Sequence, residues 1–99
     1  MTGKIEQGLR LRAWREHTGN LSGERLTLKV VAELIADEAD RQSIARTSRM
    51  VPRTHASLTR WELGNVQQTI DGLGIIAKVY GVSLIDLMRM PPSSPAASL

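Results

Sequence analysis

Apolar side chains recur at a spacing of three to four residues along most of this chain, which is the signature of helices that bury one face. From Lys4 to about His17 the positions Ile5, Gly8, Leu11 and Trp14 form such a stripe, with Arg10, Arg12 and Arg15 turned elsewhere; Gly19 and Asn20 are expected to end this helix. Thr27 is placed to cap a second helix carrying Leu28, Val31, Ala32 and Ile35, and nothing breaks its pattern before Arg41. Residues 42–53, QSIARTSRMVPR, have weak periodicity and end near a proline, and read as loop or frayed helix. Further on, Thr69 caps a helix with Ile70, Leu73, Ile76, Ala77 and Tyr80 on its apolar face, stopped by Gly81. Ser83 and Asp86 make a capping box for a last short helix through Met88, with Leu84 and Leu87 turned to the core. The tail, RMPPSSPAASL, is rich in Pro, Ser and Ala and is expected to be disordered.

Between these elements lies THASLTRWELG, residues 54–64, which reads as a short helix with its own signals. Pro52 blocks helix upstream, Thr54 can cap the first N–H groups, and Gly64 supplies a left-handed ending. Leu58 and Trp61 lie three apart and can face inward, leaving His55, Ala56, Ser57 and Arg60 outward. A helix this short is not stable alone in water, so its neighbours must hold it.

Composition narrows the picture. Ninety-nine residues make one domain, and with 41% hydrophobic residues but only Trp14, Trp61 and Tyr80 as aromatics, aliphatic side chains must fill the core. The absence of cysteine excludes disulfides, thiolate metal sites and cysteine nucleophiles. The apolar runs fall far below the roughly 18 residues of a membrane span, and MTGKIEQG lacks the apolar segment of a signal peptide. The expectation is a cytoplasmic protein without membrane contact. The net charge of +3 is modest, but its distribution is not even. From Arg41 to Trp61 there are five arginines and His55 with no acid, the footprint of a phosphate-facing surface or of a solvated basic loop.

The order of elements, together with GLRLRAWRE, LTLKVVAELIA, THASLTRWELGN and TIDGLGIIAKVYGVSLIDLM, resembles the helix-turn-helix domain of lambda-repressor and Cro-like regulators. The resemblance implies an all-α domain of about five helices over residues 1–88, with a tail at 89–99. It further implies that residues 54–64 form the recognition helix. Thr54, His55, Ala56 and Arg60 then fall where such proteins meet base edges in the major groove, and Ser57 and Asn65 where they meet phosphates. Arginine can grip guanine through two hydrogen bonds, and a good pair of this kind discriminates by about 1–3 kcal/mol. Lys29, Arg49 and Arg53 are further candidates for the backbone. Arg15 and Glu62 fall where the family pairs an arginine of its first helix with a glutamate of the recognition helix, a structural role.

Two connections depart from the pattern. The loop at Asn20–Arg25 is longer than usual, and an insertion at about 37–53 replaces the tight turn between the two motif helices. Three readings of the insertion stay open: a basic arm on the backbone or minor groove, an extension of helix 2 that makes a partner surface, or a tolerated loop. Leu28 stands where many relatives carry a polar residue; either Lys29 substitutes for it, or Leu28 and Val30 are instead covered by the insertion.

No metal-binding motif, phosphate loop or local catalytic signature is present, so neither catalysis nor a cofactor nor a small-molecule ligand is expected. The expected function is a sequence-specific, double-stranded-DNA-binding repressor of a bacterial or phage-infected cell. One short helix reads only about four or five base pairs, so a homodimer on a palindromic operator is expected, joined through Leu84, Leu87, Met88 and Met90. The alternative is a protein-interaction adaptor, such as an antitoxin-like subunit, that uses those same apolar residues.

Overall fold

The computed structural model describes residues 3–45, 48 and 50–92. Among them all regular structure is helical: α1 (Lys4–Ser22), α2 (Leu28–Arg41), α3 (His55–Leu63), α4 (Ile70–Tyr80) and α5 (Leu84–Leu87). The hydroxyls of Thr27, Thr54, Thr69 and Ser83 accept hydrogen bonds from the N–H groups of Val30, Ser57, Gly72 and Asp86. Each such cap contributes about 1 kcal/mol and sets where its helix begins.

The ends are equally local. Gly64 and Gly81 adopt φ of 73° and 72°, and the following N–H of Asn65 and Val82 returns to the carbonyls of Arg60 and Ala77. α1 runs past its expected stop to Ser22 and closes at Gly23 instead. Gly19 is a point of close approach, not a terminator: a Cβ there would lie 2.8 Å from the Glu24 carbonyl oxygen. A glycine inside a helix costs only about 1 kcal/mol, which packing readily offsets. α2 extends to Arg41 and closes in the same way without a glycine, for Ser43 takes φ 59° and the Ile44 N–H reaches the Ala39 carbonyl at 2.9 Å.

The core is built from Leu11 and Trp14 of α1, Val31 and Ile35 of α2, Leu58 and Trp61 of α3, and Leu73, Ile76 and Tyr80 of α4. Two expected apolar positions are corrected, since Ile5 and Ile70 are exposed while Gln7 and Ile75 are buried. Gln7 is retained inside because its Nε2 donates to the Leu87 carbonyl at 3.4 Å, satisfying one open end of α5. Leu87 is itself fully buried, so its assignment to a surface between copies is corrected as well. The Trp14 indole donates to the Arg89 carbonyl at 2.8 Å, which fixes the first residue of the expected tail to α1. Residues 93–99 of that tail lie outside the described residues.

The insertion is anchored to the body. Val51 and Pro52 are buried, and Ile44 packs on the core. The Met50 carbonyl accepts from the Thr69 hydroxyl at 2.7 Å, so one threonine both caps α4 and holds the returning chain. The expected cover over Leu28 and Val30 is not formed by the described residues. Leu28 instead borders α1 and α3, and Val30 is exposed.

Candidate nucleic-acid interface

α3 is held on its inner side by close backbone contact. A Cβ on Gly8 of α1 would sit 2.3 Å from the Glu62 carbonyl oxygen, and one on Gly64 would sit 2.5 Å from the Ile5 Cα. Only glycine allows α1 and α3 to approach this far. Gln68, a buried residue of the connection after α3, donates from Nε2 to the carbonyls of Lys4 at 2.8 Å and Trp61 at 2.9 Å. It thereby joins the start of α1 to the last turn of α3. Nothing in the run NVQQ distinguishes Gln68 from Gln67, and its role is visible only once both helices are in place.

Arg15 and Glu62 meet through two hydrogen bonds, Nε to Oε2 at 2.8 Å and Nη2 to Oε1 at 3.0 Å. The third donor of the guanidinium, Nη1, reaches the Leu26 carbonyl at 3.0 Å, so one side chain ties together α1, α3 and the connection before α2. The bond to Glu62 shifts the Arg15 pKa further upward, against the cost of burial. Tyr80 lies close enough to feel both charges. Burial and the Glu62 carboxylate push its phenol pKa up, and its buried hydroxyl has no hydrogen-bond partner among the described residues.

The outer side of α3 exposes His55, Ala56 and Arg60, with Ser57 half-buried. Thr54 turns its hydroxyl to Ser57, accepting from the backbone N–H and donating to Oγ at 3.0 Å. Arg60 is exposed and makes no side-chain hydrogen bond or ion pair with any described residue. The other arginines of the acid-free run behave differently. Arg41 bonds Glu38, and Arg53 bonds Asp40 at 2.8 Å and the Ile44 carbonyl, its side chain only 12% exposed. The basic run is therefore partly neutralised by the acids that precede it. Arg53 is a staple between α2 and the segment entering α3, its guanidinium engaged by Asp40 and the Ile44 carbonyl rather than free. Arg49 and Arg46 lie outside the described residues.

A cleft of about 620 Å³ runs beside α3. The insertion contributes Ser48 and Arg53, the helix contributes Thr54, Ser57 and Arg60, and the following connection contributes Gln67. Four of the residues expected to meet nucleic acid are thus brought to one place, Thr54, Arg60, Ser57 and Arg53. Ser48 and Gln67 were not anticipated, because their only sequence signal is polarity. Asn65 and Lys29 are exposed but do not line the cleft. On another side, a hollow of about 370 Å³ is bordered by Ile5, Leu9, Leu28 and Leu63 above the Arg15–Glu62 pair.

Among the described residues no group of His, Asp or Glu is arranged to hold a metal ion, and no helix is long and apolar enough to cross a membrane. No family model, curated protein or solved structure matches the chain.

Proposed function

We propose that this chain is a sequence-specific regulator that binds double-stranded DNA with α3 in the major groove, in the manner of lambda-repressor and Cro-like helix-turn-helix domains. The supporting observation is a helix held closely on its inner side that exposes His55, Ala56 and Arg60 on its outer side, Arg60 having no side-chain partner among the described residues. Rigidity matters because base discrimination depends on holding a guanidinium in register with the guanine edge. Thr54, already committed to capping, positions the first turn and is left a minor part in base contact. Lys29, Ser57 and Asn65 are assigned to phosphates. The reading places the protein in the cytoplasm of a bacterial or phage-infected cell, acting by occupancy of an operator.

A dimer follows from the small number of bases one such helix reads. Its surface is redrawn as Ile85, Met88 and Met90, with Leu84 at the edge, because Leu87 is internal. The test is selection from a randomised duplex pool. The expected result is a motif with two inverted halves about one helical turn apart, in which Arg60→Ala relaxes one guanine per half. Folded protein that enriches no sequence would overturn the reading.

The adaptor reading has one observation in its favour. Ile5, Leu9 and Leu63 are 63%, 54% and 60% exposed around a single hollow, an arrangement suited to a protein partner. Loss of partner capture in Leu9→Glu with DNA selection intact would assign both functions to one chain.

A further inference from the structure

The cleft beside α3 has walls of different origin. Thr54, Ser57 and Arg60 line it from α3 and its cap, Ser48 and Arg53 from the insertion, and Gln67 from the connection after α3. Every polar side chain among the described lining residues can donate a hydrogen bond, and no carboxylate is among them. Asp40, the acid nearest in bonding terms, is engaged by Arg53. The buried Nε of Arg53 has no hydrogen-bond partner among the described residues. Val51, Pro52, Trp61 and Val66 add apolar lining. A cleft lined by hydrogen-bond donors and two guanidinium groups beside apolar side chains suits a chain of phosphates joined by sugars.

We propose that this cleft seats the sugar-phosphate backbone of one DNA strand flanking the bases read by α3, so that the insertion acts as a second wall clamping the duplex. The inference rests on the DNA-binding reading above and extends it. Ordinary helix-turn-helix contacts grip the backbone from the motif alone; here the insertion adds the opposite side. On that side the chain is anchored at Val51 and Pro52 and by the Thr69–Met50 hydrogen bond. Arg53 holds the wall in place and Gln67 is the side chain through which contact can be varied without disturbing the staple.

The experiment measures binding of the full chain to its selected duplex against salt concentration. Gln67→Lys places one cation in the cleft, and Asn20→Lys adds the same charge at an exposed residue outside it. If a phosphate occupies the cleft, Gln67→Lys steepens the salt dependence by about 0.9 in log–log slope. That corresponds to an affinity loss about 3–4-fold greater than wild type's between 50 and 200 mM salt. Asn20→Lys should not reproduce it, and Gln67→Glu should weaken binding while leaving the selected motif unchanged. Equal slopes for wild type and Gln67→Lys would overturn the proposal, as would equal effects of the two lysines. Shifts of the Gln67 side-chain amide signals with inorganic phosphate, but not with the duplex, would identify a small-anion site and also overturn it. A wild-type protein that selects no duplex fails earlier, on the DNA reading, and removes this inference with it.

Discussion

Ser43 closes α2 in a left-handed conformation, φ 59°, that a side chain disfavours by about 1–2 kcal/mol. Ser43→Gly removes that strain and gives back about 0.5–1 kcal/mol to the greater freedom of the unfolded chain. A net gain of about 0.5–1 kcal/mol is expected in denaturant unfolding. Two other glycines predict opposite outcomes for one substitution. Gly8→Ala would drive a methyl into the Glu62 carbonyl, whereas a Cβ at Gly74 meets nothing within 4 Å. Gly8→Ala is therefore expected to destabilise by about 1–3 kcal/mol through overpacking, and Gly74→Ala to stabilise by about 1 kcal/mol through helix propensity. Thermal unfolding of the two variants side by side checks the assignment of Gly8 as the contact between α1 and α3.

Among elements, α3 depends most on its neighbours. Its nine residues are too few to persist alone, and its position is set from α1 by Arg15 and from the following connection by Gln68. The Arg15 and Glu62 side chains are 15% and 6% exposed, so removing one leaves a buried charge. Arg15→Ala is expected to cost about 3–5 kcal/mol, and the double change to two methionines much less, because it removes both charges together. Comparable losses in the single and double variants, measured by urea unfolding, would show that the pair is not the source. The insertion is an element of a different kind. Its path is set by Ser43, by the Arg53 staple to Asp40 and by the hold of Thr69 on Met50.

For the whole molecule, acid stability and assembly give separate tests. Glu38 near the end of α2 accepts from Gln42 and Arg41 and lies 3.6 Å from Lys78 of α4. Hydrogen bonds from Gln42 and Arg41 hold its carboxyl below the usual carboxylate range. The folded state thus binds this proton less readily than the unfolded chain does. The stabilisation is complete above the ordinary value of 4.5 and is lost as pH falls below it. Melting temperature should decline less steeply across that interval in Glu38→Gln. Assembly is tested by Ile85→Asp, which changes an exposed side chain. Sedimentation is expected to show folded monomers, whereas Leu87→Asp would place a charge in the core and unfold the domain.

The helices themselves are legible in the order of residues, because their causes are short-range. Thr27, Thr54, Thr69 and Ser83 start them, Gly64 and Gly81 stop them, and apolar spacing orients Leu58 and Trp61 inward. The same is true of the outward set His55, Ala56 and Arg60. What required the folded chain were relations between residues distant in sequence. Gly19 looks like a helix end until the returning backbone at Glu24 is seen against it, and Ile5 looks internal until Gln7 is found bonded to Leu87. Arg53 reads as a free cation in an acid-free run, yet Asp40 lies beside it after the chain turns back. The cleft that joins Ser48 and Gln67 to Arg60 has no local pattern, since its walls meet only through packing. Caps and turns act over three or four residues and can be read from the order of side chains. Ion pairs, close backbone approaches and clefts depend on which segments the core brings together.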